Sequence, residues 1–316
     1  MSHRRALALQ AALAAALALL AWRIYANTSA NLEARGIASG FAFLWREAGF
    51  EIGETTFAAY SAADSYLRAL AIGLANTFRV AAIGIVLAPL LGTVLGFARL
   101  SPNWLLARLA SAYVEVVRNI PLLVQLFFWY AVIAESLPPP AEALNPLPGV
   151  FLSNRGIFIP LPGDVPDLSG FNFTGGVSLS PEFAALLIGL TTYTAGFIAE
   201  IVRAGILSVP RGQVEAARSL GLRQRDALRH VVAPLALRLM VPPMTSQYLN
   251  LAKNSSLAVA IGYPDLVSIA NTTMNQTGQA IEGVAIIMAV FLTLSLSLSA
   301  FMNWYNRRVA LRGTIG

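Results

Sequence analysis

Lys253 is the only lysine in the chain, and Asn254, Ser255 and Ser256 follow it directly. A cation beside hydrogen-bonding side chains can meet an anion or tie neighbouring helices together. Two carboxylate–guanidinium pairs share one spacing, Glu115 with Arg118 and Glu200 with Arg203. At i, i+3 both can close on a helix surface. Arg118 also opens the run Arg118-Asn119-Ile120-Pro121, a helix break able to line a cavity. A further group is a segment, Glu215-Ala216-Ala217-Arg218-Ser219-Leu220-Gly221. Its small residues Ala216, Ala217 and Gly221 let another surface approach the backbone. Gly221 suits the point where one short helix stops and a second begins, because glycine tolerates positive φ.

The chemistry open to these groups is ionic and conformational. The chain has no cysteine, which removes thiolate ligands and thiol nucleophiles. His3 and His230 are its only histidines, too few for a multi-histidine metal site and poor material for a serine–histidine triad. A P-loop requires Gly-x-x-x-x-Gly-Lys-Ser/Thr. Lys253 stands between Ala252 and Asn254, so that motif is absent. If ATP drives this protein, another chain must bind it.

The elements that carry these residues are apolar. The chain is 56% hydrophobic and 12% charged, against about a quarter charged in soluble domains. An all-α membrane protein is expected, since about 20 apolar residues cross a bilayer as a helix. Six segments approach that length: about Ala6–Trp22, Ala71–Phe97, Leu105–Ile133, Phe183–Leu207, Pro242–Pro264 and Ile281–Tyr305. The first follows a basic start, Met1 to Arg5, and is read as an uncleaved anchor because a cleavage site after it is poor. Proline favours the first helical turn, so Pro242-Pro243 is expected to open the fifth span. Lys253 then lies about 15 Å along it, near mid-membrane. An ionisable group at that depth is costly. It is either a structural pair or part of a wall of a path through the bundle. If Pro234 already starts the same helix, Lys253 lies toward the outer interface and a role in the path is weakened.

The arginines orient the spans. With six alternating helices, Arg4, Arg5, Arg99, Arg108, Arg211, Arg218, Arg223, Arg225, Arg229, Arg307, Arg308 and Arg312 share one side. Arg35, Arg46, Arg68 and Arg155 fall on the other. The positive-inside rule then makes both termini and the 208–234 loop cytoplasmic. The formal net charge of +6 is read the same way, not as a nucleic-acid footprint. The expected divisions are an anchor at 1–26, an external interfacial segment at 27–70, a transmembrane domain at 71–308 and a tail at 309–316. Residues 134–181 form an external insertion within that domain, rich in Pro and Gly and read as loop with a short hairpin around Phe151–Ile159. No internal repeat is evident, which speaks against inverted-repeat carriers.

Within the loop, Val214, Ala217, Gly221 and Leu228 have spacings compatible with one helical face. Two readings stand: an interfacial helix resting on anionic lipid, or a docking surface for a protein, favoured by Glu215 and the small residues.

Together these stretches resemble one family. The loop resembles the pattern Glu-Ala-Ala, three residues, Gly, nine residues, Ile-x-Leu-Pro of ABC-importer permeases, with Val231, Ala233 and Pro234 in the last positions. Asn76-Thr77-Phe78, the run Tyr113 to Gln125, Ala199 to Ile206, Val209 to Gln213 and Lys253 to Leu257 extend the match. Over about Ala71–Arg308 the chain is similar to permease subunits of polar amino-acid ABC importers, and its extra segments resemble the general L-amino-acid subgroup. The resemblance implies a five-helix permease core preceded by one extra span, in a bacterial inner membrane. It implies a second permease subunit, an ATPase dimer that holds ATP and Mg, and a periplasmic amino-acid-binding protein. It implies no cofactor and no catalysis in this chain. Gly212, Glu215, Ala216, Ala217, Gly221 and Pro234 would couple to the ATPase. Lys253, Asn254, Ser255, Ser256, Arg118, Gln125, Glu200 and Arg203 would line the amino-acid path or form structural ion pairs. The rivals are an ion-coupled secondary amino-acid transporter using Lys253 or Glu200 and, more weakly, a membrane-embedded enzyme.

Overall fold

The computed structural model describes residues 3–34, 36, 39–55 and 58–309. It is a helical bundle with a small β-structure at one end. The helices are α1 (His3–Ala34), α2 (Tyr66–Arg99), α3 (Trp104–Asn119), α4 (Leu122–Ala131), α5 (Pro181–Leu207), α6 (Arg211–Ser219), α7 (Gln224–Ala227), α8 (Ala233–Asn254), α9 (Leu266–Thr277) and α10 (Ala280–Val309). Polar caps start several of them, as orphan N–H groups require. Ser65 accepts from the Arg68 amide, Asn103 from Leu105 and Leu106, Ser180 from Phe183, and Asp265 from Ser268.

Among the described residues four helices are long and apolar enough to cross a membrane, α1, α2, α5 and α10. A fifth span results if α3 and α4 count as one, bent by 105° at the Ile120-Pro121 break. The remaining expected span, the fifth in chain order, is α8, whose 22 residues are long enough but less apolar, with Arg238 and Lys253 in it. α1 runs to Ala34, past the expected boundary at residue 26.

α2 and α5 form the centre. Gly84, Ala88, Gly92 and Gly96 recur every four residues on α2, and all but Gly84 face α5 directly. A Cβ on Gly92 would come within 2.9 Å of the Ala195 carbonyl, and one on Gly96 within 3.0 Å of that of Ala199. Such small residues let helix backbones approach where there is no water-driven attraction between helices. The sequence reading did not single out this stripe.

The fifth span does not begin at Pro242-Pro243. α8 begins at Ala233 with Pro234 in its first turn, and the proline pair sits inside the helix. A packed membrane bundle tolerates interior proline where neighbours re-satisfy the backbone. After Asn254 the chain tightens into a 3-10 segment, Ser255–Ile261, ends on left-handed Gly262, and restarts as α9, which was not anticipated.

The 134–181 insertion is not mostly loop. It holds β1 (Leu144–Leu147), β2 (Val150–Ser153), β3 (Gly156–Ile159), β4 (Asp167–Ser169), β5 (Asn172–Thr174) and β6 (Val177–Leu179). β1, β2, β3 and β6 form one antiparallel sheet in that order, and β4 pairs with β5. The expected hairpin is there, with Phe151 opposite Phe158.

Residues 39–55 and 58–65, expected to be partly ordered at the interface, are built into the fold. Phe43, Ala48 and Ile52 are buried with Tyr66, Leu70, Leu266 and Ile269. Glu54 pairs with Arg79 of α2 at 2.5 Å, and the Arg79 guanidinium lies 4.0 Å from the Phe183 ring centroid. Asn76 donates to the carbonyls of Glu54 (3.0 Å) and Pro264 (2.9 Å). These contacts gather residues 39–55 and 58–65, the sheet and the start of α9 at one end of the bundle. The α6–α7 loop and the end of α10 lie at the other.

Candidate functional site: a two-faced loop helix and a polar groove

α5 stops at Leu207, where Ser208 turns back to donate to the Gly205 carbonyl at 2.7 Å. Pro210 follows and α6 begins at Arg211. One face of α6 belongs to this chain. Val214 is half-buried against the cluster that holds Val209, Val232 and Ala236, and Ala217 is buried. The other face is open. Gly212, Glu215, Ala216, Arg218 and Leu220 are exposed. Glu215 makes no ion pair among the described residues.

α6 ends as the glycine predicted. Gly221 has φ +84°, its N–H donates to the Arg218 carbonyl at 2.9 Å, and Leu222 N–H donates to that of Ala217 at 3.2 Å. This paired closure is a Schellman motif, which needs a left-handed residue at that position. A Cβ on Gly221 would meet nothing within 4 Å, so its cost would be backbone strain and not crowding. Pro234 lies in the first turn of α8, beyond α7 and a widened turn at Leu228–Val232.

Two details differ from expectation. Ala217 is turned toward its own chain and is buried, while Ala216 is exposed. Leu220 was missed: it is 84% exposed at the tip of α6. Its signal was an apolar residue beside the helix-stopping glycine and off the Val214/Ala217 face.

The predicted polar residues divide into three places. Arg118 and Glu200 line one groove of about 480 Å³ with Phe197, Ser208, Ser246 and Gln247. Glu200 is clamped by Arg203 at 2.6 Å, as expected, and also by Arg99 of α2 at 2.5 Å. Arg99 reaches Ser111 of α3 at 3.3 Å, so one carboxylate ties three helices. Arg118 does not pair with Glu115; its guanidinium lies 5.0 Å from the Phe197 ring centroid. Both Glu115 and Arg118 are exposed on α3, and the i, i+3 spacing alone did not bring them together.

Gln125 is buried outside that groove. Its amide donates to the carbonyls of Val117 (2.8 Å) and Ile120 (3.0 Å), which the break between α3 and α4 would otherwise leave open. Non-helical backbone at membrane depth requires this kind of satisfaction.

Lys253 is in the last turn of α8, about 30 Å from its start, so the mid-membrane depth inferred from Pro242 is withdrawn. It is exposed and forms no ion pair among the described residues. Ser255 and Ser256 return hydrogen bonds to the Ala252 and Lys253 carbonyls, closing the helix end, and Asn254 is partly buried beside them.

Comparison with known proteins fits this architecture. Residues 81–311 match the family described as binding-protein-dependent transport system inner membrane component. A protein of Escherichia coli (strain K12) named as a candidate amino-acid ABC transporter permease, YhdX, is 45% identical, covering 95% of this chain and 92% of its own. The general L-amino acid transport system permease protein AapQ of Rhizobium johnstonii is 42% identical, covering 92% of this chain and 88% of its own. A solved structure described as an amino acid ABC transporter with histidines superposes with a TM-score of 0.57 at 27% identity, over 77% of this chain and 95% of that one. The chain belongs to the family of binding-protein-dependent transport system inner membrane components.

Proposed function

We propose that this chain is the permease subunit of an ATP-driven amino-acid importer, forming the path with a second permease subunit. A separate ATPase dimer holds ATP and Mg and docks on the 211–234 loop. A soluble amino-acid-binding protein delivers cargo at the sheet end. In this reading both termini and the loop are cytoplasmic, and residues 39–65 and the sheet are external, as the arginine distribution favours. Amino acids as cargo are supported by what the relatives are named for. The ion-coupled alternative has no support from the family or the relatives.

The observation that carries the reading is the build of α6. Its inner face is fixed by Val214 and Ala217, its length is fixed by Gly221, and its outer face presents Glu215, Ala216 and Leu220, exposed among the described residues. Burying a leucine is worth about 1.5–3 kcal/mol, and a hydrogen bond to a charged group about 1.5–3 kcal/mol. Inverting a two-state equilibrium from 1:99 to 99:1 takes about 5.5 kcal/mol. A contact at Leu220 and Glu215 made in only one ATPase state is of that size. Glu200, bridging α2 and α5 beside the groove, lies where a shift of α6 passed along α5 would be felt.

Copurification tests this. Wild-type permease is expected to hold its ATPase through affinity purification, and Gly221→Trp and Leu220→Asp to lose it while the permease still inserts. Normal ATPase retention by both variants would remove α6 as the coupling element.

A further inference from the structure

Resting on that reading, we propose that the β4–β5 hairpin is a docking contact for the soluble binding protein, with Phe171 as its anchor. Among the described large apolar side chains, Phe171 is the most exposed at 95%, and Leu220 is next at 84%. The two lie outside the helices long and apolar enough to cross a membrane, at opposite ends of the bundle. Leu220 marks the proposed ATPase side; Phe171 is its counterpart on the other.

The hairpin is held firmly at its base. Phe173 of β5 is buried against Phe151 and Phe158 of the sheet, with ring centroids 4.5 and 4.9 Å apart. Asp164 accepts a hydrogen bond from the Gly176 amide at 2.9 Å, tying the segment that precedes β4 to the one that follows β5. Gly170 and Phe171 form the two-residue turn between Ser169 and Asn172. A rigid stem thus carries an aromatic tip into solvent, with Leu168 (42% exposed) and Val165 (59%) nearby. Interface anchors have this character, a pre-ordered aromatic that loses little freedom on burial.

Charge selects the occupant. Glu135, Glu142, Asp164 and Asp167 are exposed on residues 134–180, and Arg155 is the one basic residue there. A second copy would bring the same acidic face, and anionic lipid phosphates would be repelled. The surface therefore fits a soluble protein with a basic docking face and an apolar recess. A hairpin tip covers less than a standard interface, which suits a partner that leaves in every cycle.

The test uses the whole permease–ATPase complex in proteoliposomes, titrated with the amino-acid-loaded binding protein, reading stimulated ATP hydrolysis. Phe171→Asp and Asp167→Arg are expected to raise the half-stimulating concentration by about tenfold or more while leaving maximal stimulation unchanged. Phe171→Tyr is expected to behave as wild type. Stimulation of the wild type with unchanged titrations for Phe171→Asp and Asp167→Arg overturns the hairpin assignment and leaves the importer reading intact. Absence of stimulation in the wild type overturns both. A Phe171→Asp effect seen instead in complex–complex association, or in binding to anionic vesicles, assigns the tip to a second copy or to lipid and overturns the proposal.

Discussion

Removing the Glu54 carboxylate should loosen the whole 39–65 segment. Glu54 and Arg79 are 12% and 8% exposed and 2.5 Å apart. Breaking a buried pair from one side costs about 3–5 kcal/mol, because the remaining charge stays desolvated. In Glu54→Ala, Arg79 keeps the Phe183 ring at 4.0 Å, which retains about 0.5–2 kcal/mol and points to the lower part of that range. The backbone bond from Asn76 to the Glu54 carbonyl survives the substitution. At about 2–4 °C per kcal/mol for a domain of this size, the loss in melting temperature should be on the order of 10 °C. Thermal unfolding of the complex in lipid nanodiscs measures it, with protease cleavage within 39–65 as a local readout. Arg79→Met should cost a similar amount. The double variant Glu54→Ala/Arg79→Met should recover much of the loss, since neither charge then stays buried without its ion-pair counterpart. A Glu54→Ala complex that melts within about 2 °C of wild type, with no added cleavage, would refute the reasoning.

Two further outcomes follow from single side chains. Gln125→Leu leaves the Val117 and Ile120 carbonyls without their amide donor; at about 1–3 kcal/mol for each buried unpaired group, assembled yield and melting temperature should both fall. Asp265, fully buried at the start of α9 and outside the spans, has its carboxyl pushed up to about 7 by burial, against the opposing pull of backbone amides. Because the folded value lies above the unfolded one, its contribution to stability is complete below about pH 4 and is lost as pH rises through about 7. Melting temperatures of wild type should decline over that window, and Asp265→Asn, which keeps a capping oxygen, should flatten the decline.

The apolar runs made α2, α5 and α10 legible, because lipid demands length and apolarity together. Gly221 was readable for a local reason: a helix that must stop beside Leu220 needs a left-handed residue next. Glu200–Arg203 was readable because both partners sit on one helix. Glu200–Arg99 and Glu54–Arg79 were not, since each joins separate elements and periodicity carries no trace of such contacts. The start of α8 was misread because the proline preference for a first turn is a local tendency, and bundle packing at Pro242-Pro243 overrides it. The insertion hid its sheet because strands of three or four residues between prolines and glycines give little alternation. Of the face expected from Val214, Ala217, Gly221 and Leu228, the first two do share the inner side of α6, while Gly221 and Leu228 lie beyond the end of that helix and Leu228 is exposed, because the helix stops before the spacing can repeat.

The most direct test of the central claim is uptake of a radiolabelled amino-acid panel into proteoliposomes containing this permease, its partner permease, the ATPase and the external binding protein. The account predicts accumulation that requires ATP on the ATPase side and the binding protein on the other, and that ignores imposed sodium and proton gradients. Accumulation driven by an ion gradient without ATP would contradict it.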